Sequence, residues 1–318
     1  MKKNRHRGHF LTVTLNPALD RTVTVSNFRI GELVTVKEAS YVAGGKGINV
    51  ARVLGLLGAG ASATGFSGGV YGEYLKESLG RDKIRNCFVE ISGITRENTT
   101  IIDKGSGTET HLLEPGPFVT EREIEEFLGV FSKTLDNTGF VIFSGSLSRG
   151  LPEDIYCELI DEAGNKGVEC ALDTKGVPLE LGLNATPFLA KPNREELAEI
   201  SGRELVSIDD TVQAAMALVQ KGINMVIVSL GRDGMILADK KDVWRAISPE
   251  VNVVNSVGAG DALLAGFLFS YLNNGNVEDA IRLGMACGVA HCVKPVMRRL
   301  GIEDVETFKD RITVSRAN

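Results

Sequence analysis

The sequence predicts an α/β protein: a mainly parallel sheet flanked by helices on both faces, with a small β-sheet lid. Three observations carry that expectation. From about residue 120 onward, short apolar runs alternate regularly with amphipathic helical stretches. Two strand-rich insertions, at about 20–40 and 88–113, interrupt the earlier chain and are too small for a core of their own. Two glycine clusters stand where an extended run gives way to a helix.

In chain order, residues 10–15 alternate as a strand and are stopped by Asn16-Pro17. Val23, Val25, Phe28, Val34 and Val36 lie in short extended pieces broken by Gly31, expected to form a partly exposed sheet. Apolar spacing turns helical over 48–57, where Gly58 ends it, and 62–66 reads as the next strand. The stretch 88–113 is again short strands, with turns at Gly93 and Gly105-Ser106-Gly107. Then helix 121–135 precedes strand 140–144, and helix 153–165 precedes strand 168–173. Helices 195–201 and 209–220 precede strand 225–229, and a strand at 251–254 precedes helix 262–271. Strands alternating with helices imply parallel pairing covered on both faces. No internal repeat or linker divides the chain, so residues 1–318 are expected to form one domain carrying the two lid segments.

Composition narrows the function. Of 318 residues, 43% are hydrophobic and 24% charged, enough for a large core. The 35 basic and 41 acidic residues leave a net charge of −6 with no charged block, which argues against a nucleic-acid partner. An anionic substrate therefore needs a local basic site. Five scattered cysteines, Cys87, Cys157, Cys170, Cys287 and Cys292, form no C-x-x-C pair and fit a reduced, cytoplasmic protein. The basic start lacks the apolar stretch of a signal peptide, and no apolar run is long enough to span a membrane.

The sharpest motif is Asn255-Ser256-Val257-Gly258-Ala259-Gly260-Asp261, placed between an expected strand and a helix. Glycines there let backbone N–H groups face an anion, and the helix dipole adds to the attraction. Asp261 is then placed to take a proton from a hydroxyl attacking phosphorus; the plainer alternative is that it only caps the helix. Gly44-Gly45-Lys46-Gly47 precedes the helix carrying Asn49 and is not a Walker P-loop, since Gly47 stands where Ser or Thr is required. Its glycines admit a sugar close to the backbone, with Asn49 for hydroxyls and Lys46 for a phosphate; a tight turn with a solvated lysine is the alternative. In Lys191-Pro192-Asn193-Arg194-Glu195-Glu196, Asn193 and Glu196 make a capping-box variant that also suits the water shell of Mg²⁺. Ser229-Leu230-Gly231-Arg232-Asp233-Gly234 brings backbone toward a nucleotide or is a plain hairpin turn. Arg96, in an expected lid strand, suits bidentate phosphate binding. Gly58-Ala59-Gly60-Ala61-Ser62-Ala63 matches a dinucleotide fingerprint but follows a helix and leads into a strand, the reverse of the required order, so a dehydrogenase ranks low.

The order of these segments resembles the PfkB branch of the ribokinase-like sugar kinases, from about residue 11 to the end. The resemblance is strongest in Thr14-Leu15-Asn16-Pro17-Ala18-Leu19-Asp20, residues 44–52, Ser144-Gly145-Ser146-Leu147, Lys191-Pro192-Asn193 and residues 257–261. It implies a ribokinase-like domain with a β lid, ATP and Mg²⁺ as cofactors, phosphoryl transfer to a sugar hydroxyl, and a homodimer contact through the lid. It also implies Asp261 as base with Gly258, Ala259 and Gly260 as anion hole. Asp20, Gly44, Gly45, Lys46 and Asn49, with Arg96 and Ser146, are then the sugar-phosphate residues. Lys191, Asn193, Ser229, Gly231, Gly234 and Ser256 attend the nucleotide, and Glu196 the metal through water. The "TLNP-x-x-D" and "GGKG-x-N" segments look like the 1-phosphofructokinase and tagatose-6-phosphate kinase subgroup, and Asn255 replaces an acidic residue usual in the wider family. The expected reaction is fructose 1-phosphate to fructose 1,6-bisphosphate, with tagatose 6-phosphate as the alternative acceptor. A non-catalytic sugar-phosphate sensor is the rival from another class, and it has no need of Asp261. The C-terminal helical region, with His291 and Arg298-Arg299, is unusual for the family, and no adenine contacts are assigned there.

Overall fold

A computed structural model of the chain describes residues 8–294 and 300–317; most of the basic start, together with Arg298 and Arg299, lies outside them. The first third contains β1 (His9–Thr14), β2 (Ala18–Val25), β3 (Glu38–Gly44), α1 (Lys46–Leu56), β4 (Gly60–Ser67), α2 (Gly69–Arg81), β5 (Arg85–Asn86), β6 (Val89–Glu90), β7 (Arg96–Asp103) and β8 (Thr108–Leu112). Next come α3 (Glu121–Leu135), β9 (Phe140–Ser144), α4 (Ile155–Asn165), β10 (Glu169–Asp173), α5 (Val177–Asn184), β11 (Leu189–Ala190), α6 (Arg194–Ser201), α7 (Ile208–Gln220) and β12 (Met225–Ser229). The chain continues through β13 (Met235–Asp239), β14 (Val243–Ile247), α8 (Ala259–Asn274), α9 (Val277–Cys292), α10 (Ile302–Lys309) and β15 (Thr313–Ala317).

The central sheet runs β15-β14-β13-β12-β11-β10-β9-β1-β4-β5, with β6 also on β4. Strands β12 through β4 pair in parallel; β13, β14 and β15 add antiparallel at one edge. Strand residues point alternately to the two faces. Val141 and Phe143 of β9 join α3, α4 and α7 in one core layer, whereas Phe140 and Ile142 join α8 and α9 in the other. This double burial is why these strands read as continuous apolar runs. Because β1 pairs with β4 on one side and β9 on the other, the winding direction reverses there. A crevice opens at the carboxyl ends of strands at such a reversal. A second, four-stranded sheet, β3-β2-β7-β8, stands apart from the first.

Several expectations need correcting. Residues 251–254 form no strand: the N–H groups of Val254 and Asn255 donate to the Cys292 carbonyl at 2.8 and 3.0 Å, and β15 already occupies the place beside β14. The four-stranded sheet is built by Ala18–Val25 and Glu38–Gly44 with β7 and β8, so Phe28, Val34 and Val36 fall in the connection between its strands. The helices α2, α5 and α10 were not foreseen, because glycines dilute the periodicity in α2 and the other two have only eight residues, whereas α9, which carries His291 as the expected C-terminal helix, forms despite its glycines.

Those glycines have a use in α9. A Cβ on Gly284 would lie 2.8 Å from the Leu263 carbonyl oxygen of α8, one on Gly266 2.8 Å from Cys287 Sγ, and one on Gly288 3.2 Å from the Ala259 oxygen. The two helices therefore meet backbone to backbone. Gly284→Ala should lower unfolding free energy although alanine is the better helix former. Gly129→Ala in α3, where a Cβ meets open space, should instead raise it by up to about 1 kcal/mol. Urea titrations of both variants check the contrast.

Candidate active site

Four segments converge at the carboxyl ends of the central strands. β10 ends in Asp173, whose side chain is fully buried. Lys46, the first residue of α1, places Nζ 3.0 Å from Asp173 Oδ1. Lys191, just beyond β11, places Nζ 3.2 Å from Asp173 Oδ2. Asp261, in the first turn of α8, is buried beside them and accepts a 2.9 Å hydrogen bond from Asn49 Nδ2 at Oδ2.

Electrostatics separates the two carboxylates. Burial works to raise the pKa of Asp173, but Lys191 and Lys46 outweigh it and hold the group below the usual range. The Asp173 charge in turn raises the Lys46 ammonium above its ordinary value. For Asp261, burial first and the Asp173 charge second push the pKa up to about 6. Two acids close together, one held ionised and one poised near neutrality, are the arrangement expected of a structural anchor beside a proton acceptor.

The capping alternative for Asp261 does not hold. Gly258 is the N-cap of α8, with φ of +87°, and no side chain caps the helix. The N–H groups of Gly258, Gly260 and Asp261 have no acceptor among the described residues, leaving a donor cluster at the positive end of α8. Gly260 lies beside Lys191: a Cβ there would stand 3.4 Å from the ammonium, in ordinary van der Waals contact. Ser256 is exposed at the entry to this turn, where its carbonyl accepts from the Ala259 N–H at 3.3 Å.

A second group of residues lies toward the small sheet. Asp20 of β2 accepts from Asn98 Nδ2 at 2.9 Å, and a Cβ on Gly44 would collide with the Asp20 carboxylate. Gly45 takes φ of +124°, and a Cβ there would lie 2.7 Å from Thr14 Cγ2. Arg96 donates to the Glu114 carbonyl at 2.7 Å and to that of Asn16 at 3.0 Å, tying β7 to the end of β1. Asn16 Nδ2 reaches Ser146 Oγ at 3.3 Å, across the reversal between β1 and β9. Lys46 therefore joins the Asp173–Asp261 group, while Arg96 sits with Asp20, whose charge acts on it.

Toward β12, both halves of the expected capping box form: Glu196 N–H donates to Asn193 Oδ1, and Asn193 N–H to Glu196 Oε2, each at 2.8 Å. Glu196 also contributes to the field that raises Lys46. Asn193 and Ser229 form a backbone bridge. The segment from Ser229 to Gly234 is the turn of the β12–β13 hairpin, with Gly231 opening it and Gly234 required by the Ala246 carbonyl against it. Sequence reasoning missed Asp173 as a site residue, and also Asn16 and Asn98. The signal for Asp173 was a carboxylate at the end of a buried strand, a position that demands a charged partner.

Residues 14–296 match the model of the pfkB family carbohydrate kinases. The chain is 35% identical over 307 residues to a 1-phosphofructokinase of Borreliella burgdorferi, covering 93% of this chain and 99% of that protein. It is 35% identical over 306 residues to the 1-phosphofructokinase of Bacillus subtilis, covering 96% and 99%. Phosphofructokinase-2 from Escherichia coli, solved in complex with substrates and products, superimposes with a TM-score of 0.89 at 28% identity, covering 95% of this chain and 99% of that one.

The raised pKa of Asp261 has a stability consequence. Its folded value lies above the unfolded one, so its contribution is fully favourable below the unfolded pKa and is lost as pH rises through about 6. Asn imitates the protonated acid. Asp261→Asn should raise the melting temperature at pH 8, and the gain should vanish on going down toward pH 4, as followed by scanning calorimetry.

Proposed function

The chain belongs to the pfkB family of carbohydrate kinases, and on that footing we propose that it is an ATP-dependent 1-phosphofructokinase, making fructose 1,6-bisphosphate from fructose 1-phosphate. The observation that carries this reading is the meeting, at one point, of a buried carboxylate poised near neutrality, open N–H donors of a helix terminus and two ammonium groups.

Asn49 occupies Oδ2 of Asp261, which leaves Oδ1 to accept the proton of the sugar hydroxyl. As that proton leaves, the hydroxyl oxygen bonds to the γ-phosphorus and the bond from phosphorus to the ADP oxygen breaks. Charge on the transferring group then faces the open N–H groups of Gly258 and Gly260 and the ammonium of Lys191, whereas the Ala259 N–H, also expected in the anion hole, is turned to the Ser256 carbonyl. Such preorganised donors act where phosphoryl transfer most needs them. Asp173 keeps Lys46 and Lys191 in place, so neither has to be recruited during the reaction. Asp20 and Asn98 offer hydrogen bonds to the sugar hydroxyls over the flat floor of Gly44 and Gly45. Arg96 and Lys46 serve the substrate phosphate, with Ser146 at the edge of that pocket. Lys191, Asn193, Ser229, Ser256 and the turn at Gly231 and Gly234 form the nucleotide side.

Among the described residues no cluster of three or more metal-ligating side chains occurs. The donor set beside the nucleotide residues fits Mg²⁺ held mainly by phosphate oxygens and water, with Glu196 as the one hard protein oxygen. When bound, the ion neutralises charge on the nucleotide phosphates.

We read the chain as one kinase domain whose four-stranded sheet is a lid, and that lid as the contact of a homodimer. Ile30 and Leu33, in the connection between β2 and β3, are 97% and 94% exposed, apolar surface that suits a protein contact. Five free thiols support a reducing, cytoplasmic setting.

The central test is ATP-dependent ADP release with fructose 1-phosphate, fructose 6-phosphate and tagatose 6-phosphate side by side. Fructose 1-phosphate should give the highest kcat/KM, and preference for either other sugar would overturn the substrate assignment. Asp261→Asn should lower kcat by about 10²- to 10⁴-fold with little change in either KM; near-normal turnover in a folded variant removes the base. Arg96→Ala should raise KM for the sugar phosphate far more than for ATP, and equal shifts would take Arg96 out of the phosphate site.

A further inference from the structure

The turn that presents the α8 N–H donors is held from behind by α9. Successive turns of α9 meet successively earlier parts of α8: Gly284 lies against Leu263 and Gly288 against Ala259. One turn farther on, His291 passes the helix end and reaches the loop itself. Its Nε2 lies 2.7 Å from the Val257 carbonyl oxygen. A Cβ on Gly258 would stand 2.9 Å from the same nitrogen, so the ring also rests on the Gly258 backbone. At the end of α9, the Cys292 carbonyl takes the N–H groups of Val254 and Asn255.

A carbonyl only accepts, so the nitrogen facing Val257 carries the hydrogen. Burial lowers the His291 pKa, against the pull of the Val257 bond, which favours the neutral ring with Nδ1 bare. The Val257–Gly258 peptide is planar and trans, so its C=O and N–H point in opposite directions. Holding the carbonyl toward α9 fixes the Gly258 N–H on the other side, where it has no acceptor among the described residues.

We propose that His291 is a positioning residue: its Nε2–H clamps the Val257 carbonyl against α9 and thereby aims the Gly258 N–H at the transferring phosphoryl group. The inference rests on the reading of Asp261 and the α8 terminus as the reaction centre. Among the described residues the Val257 carbonyl has one other donor, Asn255 Nδ2, at a longer 3.4 Å. The α8–α9 seam is already closed by its glycines, and the ring lies beyond the end of α8.

The experiment compares His291→Ala, His291→Gln and Asp261→Asn with the parent enzyme, measuring kcat, both KM values, ADP affinity and melting temperature. Loss of a correctly aimed donor should lower kcat of His291→Ala about 10- to 100-fold. KM for the sugar phosphate and ADP affinity should stay near the parent's, because the donor acts on charge that grows only in the transition state. Glutamine returns an N–H donor near the Nε2 position and should recover most of the lost rate. Undiminished kcat in folded His291→Ala overturns the proposal, as does a folded His291→Gln as slow as the alanine variant. Should alanine prevent folding, His291→Met fills similar volume without a donor and replaces it in the comparison. If Asp261→Asn is slow while His291→Ala is not, only the clamp fails. If Asp261→Asn turns over normally, the reaction centre itself has been misassigned.

Discussion

The buried carboxylate of Asp173 fixes much of what surrounds it. An ionised group without solvent is tolerated only with close partners of opposite charge, and here two ammonium groups supply them, Lys46 in a 3.0 Å hydrogen bond and Lys191 as an ion pair at 3.2 Å. Meeting that demand joins the first residue of α1 and the residue after β11 to the end of β10. The strand end is itself secured: the Gly145 N–H donates to the Asp173 carbonyl at 3.0 Å, and the hydroxyls of Tyr156 and Thr174 both hold the Gly145 carbonyl. Lysines tethered this way lose the mobility of surface lysines. They also hold down the pKa of Asp261 while Asp173 and burial hold it up, so its balance near neutrality depends on all three charges.

The sheet decides where this happens. Reversal of winding at β1 separates the flanking loops and leaves a crevice that needs no special excavation. The small sheet is tied to the end of β1 through Arg96, which donates to the Asn16 carbonyl. Asp20 and Arg96 belong to this sheet, whereas Asp261, Asp173 and Lys191 belong to the central α/β layers. Residues assigned to the sugar and those assigned to phosphoryl transfer are thus carried by different sheets, with α1 and its glycine-rich entrance bridging them through Gly44, Lys46 and Asn49.

What the sequence revealed and what it hid follow from range. The turn at Gly258, the capping box at Asn193 and the alternating faces of β9 are local, and each is set by neighbours a few residues away. Asp173 carries meaning through Lys191, beyond the next strand, and through Lys46, 127 residues earlier in the chain, and nothing beside it in the sequence announces either partner. Arg96 was legible as a cation but not as a brace for the carbonyls of Asn16 and Glu114. The valines at 251–254 looked like a strand because their composition favours one; whether a strand forms depends on a vacant sheet edge, and β15, from the far end of the chain, had taken it. Glycine misleads in the opposite direction: it hid α2, while in α9 the close approach to α8 outweighs the weak helical preference of Gly284 and Gly288.

That glycine seam gives the turn at the start of α8 an unusual mechanical character. A contact made of backbone has no rotamers to freeze when it forms and none to absorb a displacement afterward. Side-chain packing yields gradually as temperature rises, because individual groups hop between wells. A backbone seam stays in register or separates. The turn presenting Gly258 and Asp261 therefore inherits a nearly athermal mounting, whose geometry should hold steady with warming until α8 and α9 part together.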